Sequence, residues 1–117
     1  MPYHMATFSA TLAPGIAQQL CPANISRYAL EIQVTGTGSV TIGFGAAPSA
    51  PGMGLCFDGA STANGQGGSR FWGMPSNDPH FDHYYEVKDV AGDAVPSQSI
   101  WGLSAAGSKV VVVENLP

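Results

Sequence analysis

The sequence predicts an all-β fold, either a small antiparallel β-sandwich (jelly-roll-like) or a barrel. Three observations predict it. Apolar and polar residues alternate with a period of two in several short runs, the spacing of a half-buried strand. Turn-forming clusters separate these runs, and the chain carries 15 Gly and 9 Pro in 117 residues, a density that breaks a chain into short strands. No stretch shows sustained helical periodicity with capping residues at its ends. The length suits one domain over residues 1–117. Such a domain buries somewhat under about 70% of its unfolded surface, so its stability margin is thin.

In chain order, "MPYHMATFSATLAPG" lacks the basic and continuous apolar regions of a secretory signal and reads as an extended arm over residues 1–15. Within it Phe8, Ala10 and Leu12 alternate with Thr7, Ser9 and Thr11, a short first strand closed by Pro14-Gly15. "IAQQLCPAN" (Ile16 to Asn24) holds a brief strand ended by Pro22, which has no N–H for a ladder. The clearest segment follows. Tyr28, Leu30, Ile32 and Val34 face one side, and Ala29, Glu31, Gln33 and Thr35 the other. Beyond "GTGS" (Gly36 to Ser39), Val40, Ile42 and Phe44 resume the apolar face, with Thr41, Gly43 and Gly45 opposite. Two alternating strands around a turn of this composition predict a β-hairpin.

Residues 46–96 are irregular, with a loop-rich insertion at 57–92. "AAPSAPGMGL" and "DGASTANGQGGSR" are turn and loop clusters. Phe71-Trp72 is a short aromatic piece, and Phe81, His83, Tyr85 and Val87 share one face of a further strand. "SIWGLSAAGSKVVVVE" (Ser99 to Glu114) reads as a second hairpin, with Ile100, Trp101 and Leu103, a turn at Ala105 to Ser108, and a valine strand. Val110 and Val112 face one side of that strand, Val111 and Val113 the other. A strand apolar on both faces is covered on both, by the fold or by a partner. Six to eight short strands, roughly, fit a sandwich.

Charge narrows the function. Only 10% of residues are charged, against about a quarter in an average domain, while 44% are hydrophobic, which excludes a disordered chain. Such a surface is covered by uncharged polar groups or by another protein. The net charge is −4, and the four cations, Arg27, Arg70, Lys88 and Lys109, are scattered. Nucleic acid needs clustered cations, so it is not an expected partner. Nor is a membrane, since no apolar run approaches the ~18 residues of a spanning helix. Cys21 and Cys56 lie in a chain without a signal peptide, which favours free, buried thiols over a disulfide between them.

One cluster has ligand chemistry, "SNDPHFDHYYE" (Ser76 to Glu86). Its His80, Asp82 and His83, with Asp78, are weak metal candidates. In a strand His80 and Asp82 face one side and His83 the other, which defeats closure around one ion unless copies share a site at an axis. A surface loop begun by Asp78-Pro79 is the plainer reading, and no cofactor is expected. There is no G-x-S-x-G elbow, no Cys/His signature, no P-loop lysine beside "ANGQGGS" and no carboxylate pair that stands out. The chain is therefore read as a non-enzyme. Trp72, Trp101, Tyr84 and Tyr85 have ring faces that suit sugar stacking, although aromatics in a small β domain more often serve a core or an interface.

Two blocks resemble a known family. "QQLCPANISRYALEIQVTGTGSVTIGFGAAPSAPG" (18–52) is similar to the N-terminal half of small structural proteins of tailed phages and prophages: a leucine, Pro-Ala-Asn, a short polar step, an arginine, an alternating L-x-I-Q strand, and V-x-I-G-F-G-x-A-P. "VPSQSIWGLSAAGSKVVVVE" (95–114) resembles their C-termini in its proline-led strand, Ile-aromatic pair, small-residue turn and valine-rich last strand. Residues 57–92 depart from the short connection of that family, and Val34 stands where asparagine is usual. The resemblance implies a non-enzymatic virion accessory protein, a capsid decoration (cement) or head-fibre-base-like β-sandwich. It implies binding to the major capsid protein, a place on the capsid surface after assembly in the bacterial cytoplasm, and a homo-oligomer, with a trimer favoured. By it, Pro22, Ala23, Asn24 and Arg27 stand where the chain enters its strand, Asn24 to initiate the turn and Arg27 to tie carbonyls at the sheet edge. The arm, with Tyr3, Phe8 and Leu12, is expected to reach a neighbour or the capsid, and the insertion, with Trp72, Tyr84 and Tyr85, to form an outward face. The alternative is a tail-fibre or receptor-binding module that holds a surface glycan on Trp72, Tyr84, Tyr85 and the Asp/His loop.

Overall fold

The structure, a computed structural model, describes residues 4–73 and 95–116. They form eight strands: β1 (His4–Leu12), β2 (Gln18–Cys21), β3 (Ala29–Val34), β4 (Val40–Phe44), β5 (Leu55–Phe57), β6 (Ser69–Trp72), β7 (Ile100–Leu103) and β8 (Ser108–Leu116). Two four-stranded antiparallel sheets result, ordered β1-β8-β3-β6 and β2-β7-β4-β5. This is the predicted all-β sandwich, with no helix among the described residues.

Period-two patterning builds the core between the sheets. Leu30, Ile32 and Val34 of β3 and Val110 and Val112 of β8 point inward from the first sheet. They meet Leu20, Cys21, Val40, Ile42, Phe57 and Ile100 from the second. Each such side chain contributes on the order of 1.5–3 kcal/mol by leaving water. Phe44 and Trp72 close the packing edge to face, with ring centroids 5.7 Å apart at 86°. On the far side of β4, Thr41 is buried beneath the following loop, and its hydroxyl accepts a hydrogen bond of 2.9 Å from the Gly52 N–H.

The two expected hairpins are arches. β3 pairs with β6 and β8, whereas β4 pairs with β5 and β7, so "GTGS" carries the chain from one sheet to the other. The turn at Ala105 to Ser108 likewise joins β7 of the second sheet to β8 of the first. A hairpin would set both apolar faces on one side of a single sheet. An arch turns them toward each other, which encloses a core with the same local pattern. Glycine permits it, because the arches nest backbone to backbone. A Cβ on Gly38 would collide with the Gly107 carbonyl oxygen, and one on Gly36 with the Lys109 backbone nitrogen. The N–H groups of Thr35 and Gly36 both donate to the Lys109 carbonyl, at 2.8 and 3.2 Å.

In the N-terminal segment the expected first strand forms and is longer than its Phe8–Leu12 alternation. From His4 to Leu12 the chain is a strand paired residue by residue with β8, His4 opposite Leu116 and Leu12 opposite Ser108. Its inner row, Phe8, Ala10 and Leu12, covers the core, which holds it against its own sheet. Two further strands, β5 and β6, fall inside the irregular middle, and Phe71-Trp72 ends β6. The strand expected over Phe81 to Val87 lies outside the described residues.

Candidate functional site

The densest polar cluster forms where the chain enters β3. The Ser26 N–H donates to Asn24 Oδ1 at 2.9 Å and the Arg27 N–H to the Asn24 carbonyl at 3.3 Å, a tight turn that sends Arg27 inward. The Arg27 side chain is 0% exposed and its Nε donates to Glu114 Oε2 at 2.7 Å. Nη1 reaches the carbonyls of Pro96 and Gln98 at 2.6 and 3.1 Å, and Nη2 that of Pro22 at 2.9 Å and Cys21 Sγ at 3.3 Å. All five guanidinium donors are engaged. Arg27 thus ties carbonyls, as expected of it, but from between the sheets instead of at an exposed edge. It fastens the end of β2 and the approach to β7 to β8.

This cluster acts as a clasp between the sheets. Burial, and secondly the Glu114 carboxylate, push the Cys21 thiol up from 9.0 to about 11. A thiol held protonated at neutral pH is a poor nucleophile. Both cysteines are free, as expected, but only Cys21 is buried, and Cys56 is exposed on β5, against expectation. Outward alternation on a three-residue edge strand explains the difference. Among the described residues, no group of three or more His, Cys, Asp or Glu can hold a metal ion. The candidates His80, Asp82 and His83 lie outside those residues, as do Tyr3, Tyr84 and Tyr85.

Two partner-binding candidates are corrected. Leu12 is 2% and Trp72 6% exposed, so neither is available to a partner, whereas Phe8 packs against the same core but stays half-buried. Trp72 faces inward opposite Leu30, and the Arg70 guanidinium lies 5.1 Å from its ring centroid. The residue that does face out is its neighbour Phe71, 45% exposed. Sequence reasoning missed it because only the register with β3 decides which of two adjacent aromatics points inward.

Phe71 belongs to an apolar patch on the outer face of the first sheet. It stands opposite Glu31, which stands opposite Val113, while Met5 stands opposite Asn115. Met5, Phe71 and Val113, with Ala29, Glu31 and Asn115, line a shallow groove of about 50 Å³. The two-sided valine strand was the one sequence signal for this face. A second groove of about 330 Å³, lined by Ser9, Thr11, Thr35, Asn64 and Lys109, lies further along the sheet, where the Lys109 ammonium donates to Asn64 Oδ1 at 3.1 Å.

The charge around these features is balanced. The described residues carry three cations, Arg27, Arg70 and Lys109, and three carboxylates, Glu31, Asp58 and Glu114. The net −4 of the chain therefore resides in residues 74–94, in Asp78, Asp82, Glu86, Asp89 and Asp93 against Lys88. Compared with protein-family models, with curated proteins and with solved structures, the chain has no match.

Proposed function

We propose that this chain is a non-enzymatic structural protein of a phage virion, a capsid decoration protein that binds the major capsid protein and stabilises the assembled head. The observation that carries the proposal is a formally neutral sandwich with an exposed apolar outer face, Met5 at 69% and Phe71 at 45% exposure around Val113. Exposed apolar side chains gathered around one carboxylate, Glu31, suit coverage by protein. The resemblance to phage structural proteins supports the choice of partner. Its Pro22, Asn24 and Arg27 are the residues that build the clasp at β3, so the resembling block is a fold signature. Binding only to the assembled lattice stabilises that state by mass action. The glycan-binding alternative loses Trp72, which is in the core.

Shells of the cognate major capsid protein, mixed with purified protein and imaged by cryo-electron microscopy, test this. Wild type is expected to add density at regular lattice sites. Phe71→Asp, at an exposed position, is expected to keep the fold and weaken attachment at least about tenfold, because a carboxylate then has to leave water. Unchanged occupancy by the variant would remove the apolar face from the account.

A further inference from the structure

We propose that β1 is a self-recognition edge: two copies of this chain pair antiparallel through β1 about a two-fold axis, joining their four-stranded sheets into one of eight. The inference concerns the free protein in solution and stands apart from capsid binding.

Unpaired strand edges invite pairing with other chains, and proteins blunt those that must stay solitary. Among the described residues the two sheets have four edges, and three of them are blunted. β2 has four residues, slips register between Gln19 and Cys21, and runs into Pro22. β5 has three residues. β6 has four, and its Arg70 stands opposite Ile32 on the inner face, an inward-pointing charge at the rim of the core. β1 has none of these devices. It runs nine residues in unbroken register with β8, about 30 Å of edge at ~3.3 Å per residue, and its sequence HMATFSATL contains no Pro, Lys, Arg, Asp or Glu.

The occupant this edge fits is itself. In a two-fold pairing centred on Phe8, residues of like parity oppose each other, so hydroxyl-bearing and apolar rows both continue across the junction. Thr7 then meets Ser9 of the second copy, Ala6 meets Ala10, and the half-buried Phe8 side chains meet each other, cross-strand pairs that stabilise a sheet. Charge fits as well. No Lys, Arg, Asp or Glu lies on β1, so the pairing sets no like charges opposite each other along this line. The same register sets Met5 of each strand, 69% exposed in the single chain, opposite Thr11 of the other. A self-complementary patch of this kind closes as a dimer.

The test is molar mass by light scattering, with circular dichroism as the check on folding. Wild type is expected at twice 12.0 kDa. Thr7 and Ser9 are exposed, so charges are tolerated there by the fold. The double variant Thr7→Lys/Ser9→Lys sets like charges directly opposite and is expected to raise the dimer dissociation constant about tenfold or more. Thr7→Glu/Ser9→Glu is expected to do the same, and an equimolar mixture of the two variants to regain the dimer mass. A monomeric wild type would overturn the proposal. So would a trimer whose mass ignores these substitutions, or a mixture that stays monomeric.

Discussion

Arg27 is the side chain on which most depends, because its five donors satisfy a carboxylate, a thiol and three carbonyls that the fold has removed from water. Removing one partner of a buried ion pair costs about 3–5 kcal/mol, since the other charge is left buried and alone. Arg27→Ala is therefore expected to lower the urea midpoint sharply, against a total stability of about 5–15 kcal/mol for a typical domain. The double change Arg27→Met/Glu114→Leu removes both charges and is expected to recover part of that loss. It stays below wild type because the carbonyls of Pro22, Pro96 and Gln98 lose their donor. A double variant no more stable than Arg27→Ala would contradict this. The neighbouring thiol gives a pH signature. Unfolded, Cys21 loses its proton near 9.0, while folded it keeps it to about 11. The unfolded chain thus binds fewer protons across that window, and the contribution is whole below pH 9 and falls as pH rises toward 11. The stability difference between wild type and Cys21→Ala should shrink over pH 9–11, by at most about 1.4 kcal/mol per unit. A difference that does not vary with pH would refute that reading.

At the scale of elements, the arches decide the topology. Gly38→Ala places a Cβ against the Gly107 carbonyl, a backbone neighbour that cannot rotate away. A loss of on the order of 1–3 kcal/mol is expected, readable as a lower melting temperature; an unchanged melt would mean that the arches do not nest. Strand positions such as β3 and β8 were legible in the sequence because period two is a local property. Which strand pairs with which was not. Hairpin and arch share one local pattern, and the distinction rests on contacts between Gly36 or Gly38 and residues far along the chain. Where the arm pairs was not legible for the same reason, since the partner of β1 is the last strand. The site was legible in part: the two-faced valines signalled an outer face, but it took the register of β6 to turn Trp72 inward and Phe71 outward.

As a whole molecule, the protein is a sandwich whose described body is formally neutral, whose outer face exposes Met5 and Phe71, and whose net charge is confined to residues 74–94. With only 10% of its residues charged, the chain covers its surface largely with uncharged polar and apolar groups. Such a surface suits the proposed role in an assembled lattice, in which neighbours would cover Met5 and Phe71. The most direct measurement of that claim is the thermal stability of cognate capsid shells with and without saturating protein, read by calorimetry alongside occupancy in cryo-electron micrographs. The account predicts regular added density and a shell transition shifted to higher temperature, with both effects reduced by Phe71→Asp. Bare shells with an unshifted transition at saturating protein would contradict it.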